Sequence, residues 1–203
     1  MWGIDHSFTL KHYIEAFSFE WVEDRGLLWT GTAWNSFNTT FTIALISSFP
    51  TAAIGILTAY LLTRHRFKGK NAFEFGTMLS FAIPGSVIGV SYVFAFNVPP
   101  LELTGTGIIL VIAFVFRNMP VGVRAGIAAM NQLDPHLDEA SSTLNASSAQ
   151  TFRNIILPLL KPSITASLVF SFVRAMTAIS AVIFLVSANY DLAVSYILGR
   201  LEN

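Results

Sequence analysis

The sequence contains no cysteine, which excludes disulfides, thiolate metal sites and a cysteine nucleophile. Charge is scarce as well: Asp, Glu, Lys and Arg make up 12% of 203 residues, about half the share usual in a globular domain. Acids and bases balance at 12 each, so no electrostatic case exists for nucleic acid. No Walker phosphate loop occurs, because Gly69-Lys70 has no glycine five residues before it. His-Glu-x-x-His and a paired intramembrane Asp are absent too, and His6, His12, His65 and His136 all fall in polar segments. Membrane metalloprotease and aspartyl protease chemistry therefore lack their residues. Nor is there a carboxylate or histidine relay in the apolar runs, whose deep ionisable groups are arginines that do not titrate. The N-terminal residues lack the basic start and unbroken apolar run of a signal peptide.

What is present in excess is apolar sequence. Hydrophobic residues reach 53%, in blocks that match bilayer spans of roughly 20 residues. The expected fold class is an all-α membrane protein. Residues 1–34 read as an outer amphipathic segment with a charged loop at Glu20, Glu23, Asp24 and Arg25. A first span over 37–62 contains Pro50, which predicts a kink near Ser47 to Pro50. The loop Arg64-His65-Arg66-Phe67-Lys68-Gly69-Lys70 carries cations and no acid, so the positive-inside rule makes it cytoplasmic. A second span over 72–96 returns outward, with Gly85 and Gly89 spaced for close helix packing.

After a short outer loop, a third span heads inward from Gly107, interrupted by Arg117-Asn118-Met119-Pro120 and carrying a second close-packing pair, Gly122 and Gly126. An arginine at the bilayer centre costs about 2.5 to 3.5 kcal/mol, so Arg117 is expected to face a partner or water, and Arg124 to snorkel at the inner interface. Residues 131–161 are too polar to span. Asp134-Pro135 reads as a helix start, with a bend near Asn145 and a second short helix to about Ile156. A fourth span over 163–186 carries Arg174 with Thr177 and Ser180 nearby. Residues 193–203 look like the approach to a fifth helix, which suggests truncation.

The polar island holds the most specific pattern in the chain. Glu139-Ala140-Ser141, three residues, Asn145, nine residues, Ile155, one residue, Leu157-Pro158 resembles the coupling loop of ABC-importer permeases, whose pattern is Glu-Ala-Ala, three, Gly, nine, Ile, one, Leu-Pro. Ser141 and Asn145 depart from it, but asparagine also tolerates the left-handed backbone that a glycine turn would need. The stretches Val121 to Gly126 and Phe172 to Val182 resemble the C-terminal half of fused permeases that import ferric iron; relatives for 2-aminoethylphosphonate, thiamine and polyamines are similar.

The resemblance implies a type I importer core with four spans present and a fifth missing, residues 35–203 forming the permease domain and 131–161 its cytoplasmic coupling loop. It also implies the partners: a cytoplasmic ATPase dimer that uses the ATP, a second permease lobe, a periplasmic solute-binding protein and membrane lipid. No cofactor is expected in the chain. Asp138, Glu139, Ala140, Ser141, Leu144, Asn145, Ile155, Leu157 and Pro158 would form the ATPase-coupling surface, with Glu139 offering a charge, Ala140 and Ser141 permitting close approach, and Leu144 and Ile155 as apolar anchors. Ferric iron is the first expected cargo, an anionic solute the alternative; a channel or secondary carrier would leave the island unexplained. Arg117 and Arg174 are the translocation-pathway candidates. They either line a cavity that attracts an anion or chelate, or bond helix-end carbonyls or an acid of the other lobe.

Overall fold

A computed structural model of the chain describes residues 10–22, 26–134 and 136–201. The elements in order are α1 (Lys11–Ala16), the antiparallel strands β1 (Phe19–Val22) and β2 (Gly26–Trp29), α2 (Trp34–Arg64), α3 (Lys70–Ala82), α4 (Gly85–Phe96) and α5 (Gly107–Met130). The remainder is α6 (His136–Thr143), α7 (Ser148–Thr151), a π-helical turn (Phe152–Ile156), α8 (Leu157–Leu159), α9 (Lys161–Thr177) and α10 (Ala193–Leu201).

In the N-terminal segment α1 lies where the amphipathic piece was expected, and the departure is at Glu20, expected in a loop. Glu20 lies in a hairpin, opposite Leu28, with Phe19 opposite Trp29; residues 1–9 and the expected loop charges Glu23, Asp24 and Arg25 lie outside the described residues. The hairpin stands because aromatic side chains have somewhere to go: Phe17, Phe19 and Trp29 gather on Trp34 with ring centroids 5.1, 5.0 and 4.5 Å away. Such pairs add to simple area burial.

Helix α2 runs 31 residues straight through Pro50 as one helical element, so the predicted kink does not break it. Several of its buried hydroxyls bond the helix's own carbonyls. Thr40 donates to Ser36 at 2.7 Å and Thr51 to Ser47 at 2.6 Å, which removes the desolvation cost of an unpaired group.

The packing of α2 on α5 sets the architecture. Going inward, Ile43 lies against Gly107, Gly55 against Gly122, Ala59 against Gly126, and Thr63 Oγ1 donates to Met130 Sδ at 3.0 Å. Both helices therefore run in the same direction, so the chain between them must recross. Helices α3 and α4 do this as one span bent by 106°, correcting the continuous helix expected over 72–96. Their inner end is tied to α5 by Glu74–Arg124 at 3.5 Å, and their outer end to the loop that precedes α5, where the Phe96 carbonyl accepts from Leu103 at 2.9 Å. At 1.5 Å per residue, each half reaches only about 20 Å of the roughly 30 Å required. The break follows from Pro84, which forces Ile83 into an extended conformation with ψ 132 and has no N–H to give.

The expected glycine faces pack as close seams. Gly85 and Gly89 sit against Ser180 and Ala181, while Gly122 and Gly126 sit against Gly55, Ser167 and Ala59. Helix α9 carries the chain outward, and it stops at Thr177 instead of continuing to 186. The next residues continue outward in turns: Val182 and Leu185 fill a core with Ile43, Ile109, Leu110 and Phe114, and Ser187 Oγ donates to Gly105 O at 3.0 Å beside the outer end of α5. The end of the helix is rewarded by burial, which hydrophobicity alone does not distinguish from more helical span. Helix α10 then packs beside the outer part of α2, where Ala193 N–H donates to Thr40 Oγ1 at 2.7 Å and Ser36 Oγ donates to Asp191 at 2.8 Å.

Candidate functional site

Two places collect the candidate residues. The first is the polar island at the end of α5. Asp134 Oδ1 accepts from the His136 N–H at 2.9 Å and so caps α6; Pro135, expected in its first turn, lies outside the described residues. The far end of α6 closes on Asn145, which has φ 60. Ala146 N–H bonds Ser141 O at 3.1 Å and Asn145 N–H bonds Ser142 O at 3.0 Å, the pair of bonds of a Schellman cap, here with asparagine where glycine is usual. One residue later Ser147 opens α7 with a reciprocal capping box: its N–H donates to Gln150 Oε1 at 2.8 Å, and its Oγ accepts from Gln150 N–H at 3.4 Å. A helix stop followed directly by a helix start makes a stiff corner.

That corner sorts the expected coupling residues. Glu139 and Leu144 project outward, 75% and 83% exposed, and Ala140, Asn145 and Pro158 are exposed as well. Ile155 and Leu157 are half-buried. Ser141 does not share the outer face: it is 3% exposed and bonds the Thr151 hydroxyl, clasping α6 to α7. Close approach at this position is internal to the island. Behind it, Ile156 and Leu160 are buried with Ile56, Ala59 and Met130, which anchors the 72° elbow between the segment Ser148–Leu159 and α9.

Asp138 faces neither outward nor alone. Its Oδ2 lies 3.2 Å from Arg64 Nη1, at the inner end of α2. In the sequence Arg64 is only one charge of a basic loop, and no local signal marks its partner 74 positions away.

His136 Nδ1 and Glu139 Oε2 are 2.9 Å apart. This bond, with the charges of Asp134 and Glu139, raises the His136 pKa above 6.5. The stabilising contact is therefore fully present below about 6.5 and lost as pH rises through the higher folded value. The expected result, read from the His136 ring shift in an NMR titration, is a midpoint above that of a free histidine. Glu139→Gln should move it down; a midpoint indifferent to that change would show the contact absent in solution.

The second place is a cavity of about 250 Å3 lined by Phe114, Arg117, Asn118, Arg174, Thr177, Ala178, Ile179 and Ser180. It brings together two arginines that lie 57 positions apart in the sequence. Arg117 Nη1 donates to Ile83 O at 3.4 Å, so it holds a helix-end carbonyl at the break of the second span. Arg174 is exposed, with its guanidinium 5.8 Å from the Phe170 ring centroid, within cation–π range. Buried Asn118 is a lining residue that sequence reasoning misses; its only signal there is polarity within an apolar run. Arg124, expected near the inner interface, is 64% exposed and pairs with Glu74 at 3.5 Å.

Broken helices, parallel glycine seams and a stiff polar corner between spans describe a transport permease. The chain belongs to the family described as the inner membrane component of binding-protein-dependent transport systems, whose model matches residues 51–201. It is 48% identical over its full length to a ferric transport system permease protein of Actinobacillus pleuropneumoniae, and 50% identical over 93% of its length to a putative ferric transport system permease protein of Haemophilus influenzae. A sulfate transport system permease protein of Salmonella typhimurium is 31% identical over 74% of the chain. The chain spans 28% of the length of each ferric relative and 58% of the sulfate relative. Its family is thus that of multi-pass transport components of the inner membrane.

Proposed function

We propose that this chain is one lobe of the translocation pathway of an ATP-driven importer, and that residues 131–161 couple it to a cytoplasmic ATPase dimer supplied by other chains. The observation that carries this reading is the capped corner, where Glu139 stands exposed on a short helix capped at both ends and Leu144 stands exposed just past its last residue. The absence of a phosphate loop in the sequence is consistent with a motor on another chain. Movement of such a motor would turn the pinned elbow at Leu160 and so tilt α9, opening and closing the path between this lobe and a second one. A periplasmic binding protein would deliver the cargo to the outer face. Ferric iron is the cargo supported by the relatives' names, with Arg117 and Arg174 on the pathway; the sulfate relatives favour an anionic solute as the second reading.

Glu139→Lys in the full-length permease tests the coupling. Charge reversal at an exposed docking residue is expected to lower recovery of the ATPase with the purified permease at least about tenfold and to reduce uptake in parallel. Intact association and uptake would overturn the assignment of this loop. Leu144→Ala should weaken the same association without altering assembly of the membrane part.

A further inference from the structure

We propose that the cavity at the break of the second span is an oxyanion site, so that the cargo passes this point carrying carboxylate, phosphate or sulfate oxygens. This rests on the pathway reading above and specifies its ligand class. Four observations converge on it. Two guanidinium groups line the cavity, and none of the lining residues is acidic. Among the described residues, neither Arg117 nor Arg174 pairs with a carboxylate. Ser180 adds a hydroxyl and buried Asn118 an amide, while the Thr177 hydroxyl donates to Val173 O at 3.0 Å.

The fourth observation is the broken helix itself. Helix α4 starts at Gly85 with no side-chain cap on its first N–H groups, and a β-carbon on Gly85 would collide with Ser180 Oγ. The positive end of a twelve-residue half-helix therefore abuts the cavity wall. Half-helix N-termini at mid-membrane breaks are suited to anionic groups, and arginine presents a planar fork that matches two oxygens of a carboxylate or phosphate. Arg117 also spans the two features, since its Nη1 holds Ile83 O at the break while the residue lines the cavity. A bare ferric cation would meet repulsion from both guanidinium groups, whereas an iron complex whose ligands present oxyanions, or an oxyanion alone, would be attracted.

The test uses the assembled importer with its second lobe and motor. Because these 203 residues contain no cysteine, Thr177→Cys places one reporter thiol in the cavity, with Ser180→Cys as a second reporter should the first assemble poorly. Maleimide labelling of that peptide is followed by mass spectrometry in phosphate, sulfate or citrate and in chloride of equal ionic strength. For a millimolar site, about 10 mM oxyanion is expected to slow labelling about tenfold. Adding R117Q and R174Q should abolish the protection. Equal rates in all salts, as expected if an acid of the other lobe neutralises the arginines, would overturn the proposal, as would protection that survives both substitutions. ATPase recovery after Glu139→Lys, measured on the same preparation, separates the two readings: loss of recovery without anion protection leaves the coupling intact and removes only the oxyanion site.

Discussion

Gly126→Leu is expected to unpack the α2–α5 seam and lower the unfolding midpoint of the purified full-length permease by about 2–12 °C. The reason is geometric. A β-carbon at position 126 would lie 2.6 Å from Ala59 Cβ, and one at Gly122 would lie 2.7 Å from Ser167 Oγ and 3.5 Å from Gly55 Cα. Ala59 Cβ is fixed to its helix backbone, so no rotamer change relieves the clash at position 126. Helix association in lipid depends on van der Waals contact because lipid offers little hydrophobic drive, and the loss propagates along the seam. Overpacking costs about 1–3 kcal/mol, and each kcal/mol corresponds to about 2–4 °C for a unit of this size. Gly76→Leu is the matched control: nothing lies within 4 Å of a β-carbon there, so its midpoint should stay unchanged. Equal shifts for the two variants would refute the seam as the basis of assembly.

Asp138→Leu is expected to destabilise more than its own exposure suggests, because of what it leaves behind. The Arg64 side chain is 13% exposed, and its Nε and Nη2 are buried without a hydrogen-bond partner, so Asp138 supplies its carboxylate contact. Removing one partner of a buried pair strands the other. With the Asp138 side chain 36% exposed, water recovers part of the loss, and the expected cost is about 1–3 kcal/mol. The decisive measurement is a double-mutant cycle with Arg64→Met. The double variant should be more stable than Asp138→Leu alone, with a coupling of at least about 1 kcal/mol. Strict additivity would show that the pair contributes nothing. A real coupling matters mechanically, since it ties the inner end of α2 to the island that would receive the motor's movement.

Several features of the chain are legible in its sequence because they are local. Asn145 at the bend works through its own backbone, and the residues that close the cap, Ser141 and Ser142, are within five positions of it. The glycine pairs Gly85/Gly89 and Gly122/Gly126 announce close packing by spacing alone, since four residues return to the same helix face. Even so, their partners are not readable there: Ser180 and Ala181 for one pair, Gly55 and Ala59 for the other. Pro84-Gly85 is visible as a dipeptide but reads as part of a continuous span. A proline in a helix can kink or break it, and Pro50 leaves α2 one continuous helical element. Which outcome occurs depends on whether neighbours re-satisfy the freed backbone groups.

By itself the sequence determined that this is a helical membrane protein, where its polar island begins and ends, and which residue makes the island turn, because hydropathy and capping act over one or two helical turns. Only the tertiary structure decided that the second span is broken by 106°, that α9 in the fourth span ends at Thr177, that Arg64 meets Asp138, and that Arg117 and Arg174 share one cavity. Those outcomes rest on contacts between residues dozens of positions apart, and their free energy exists only once α2 and α5 lie side by side.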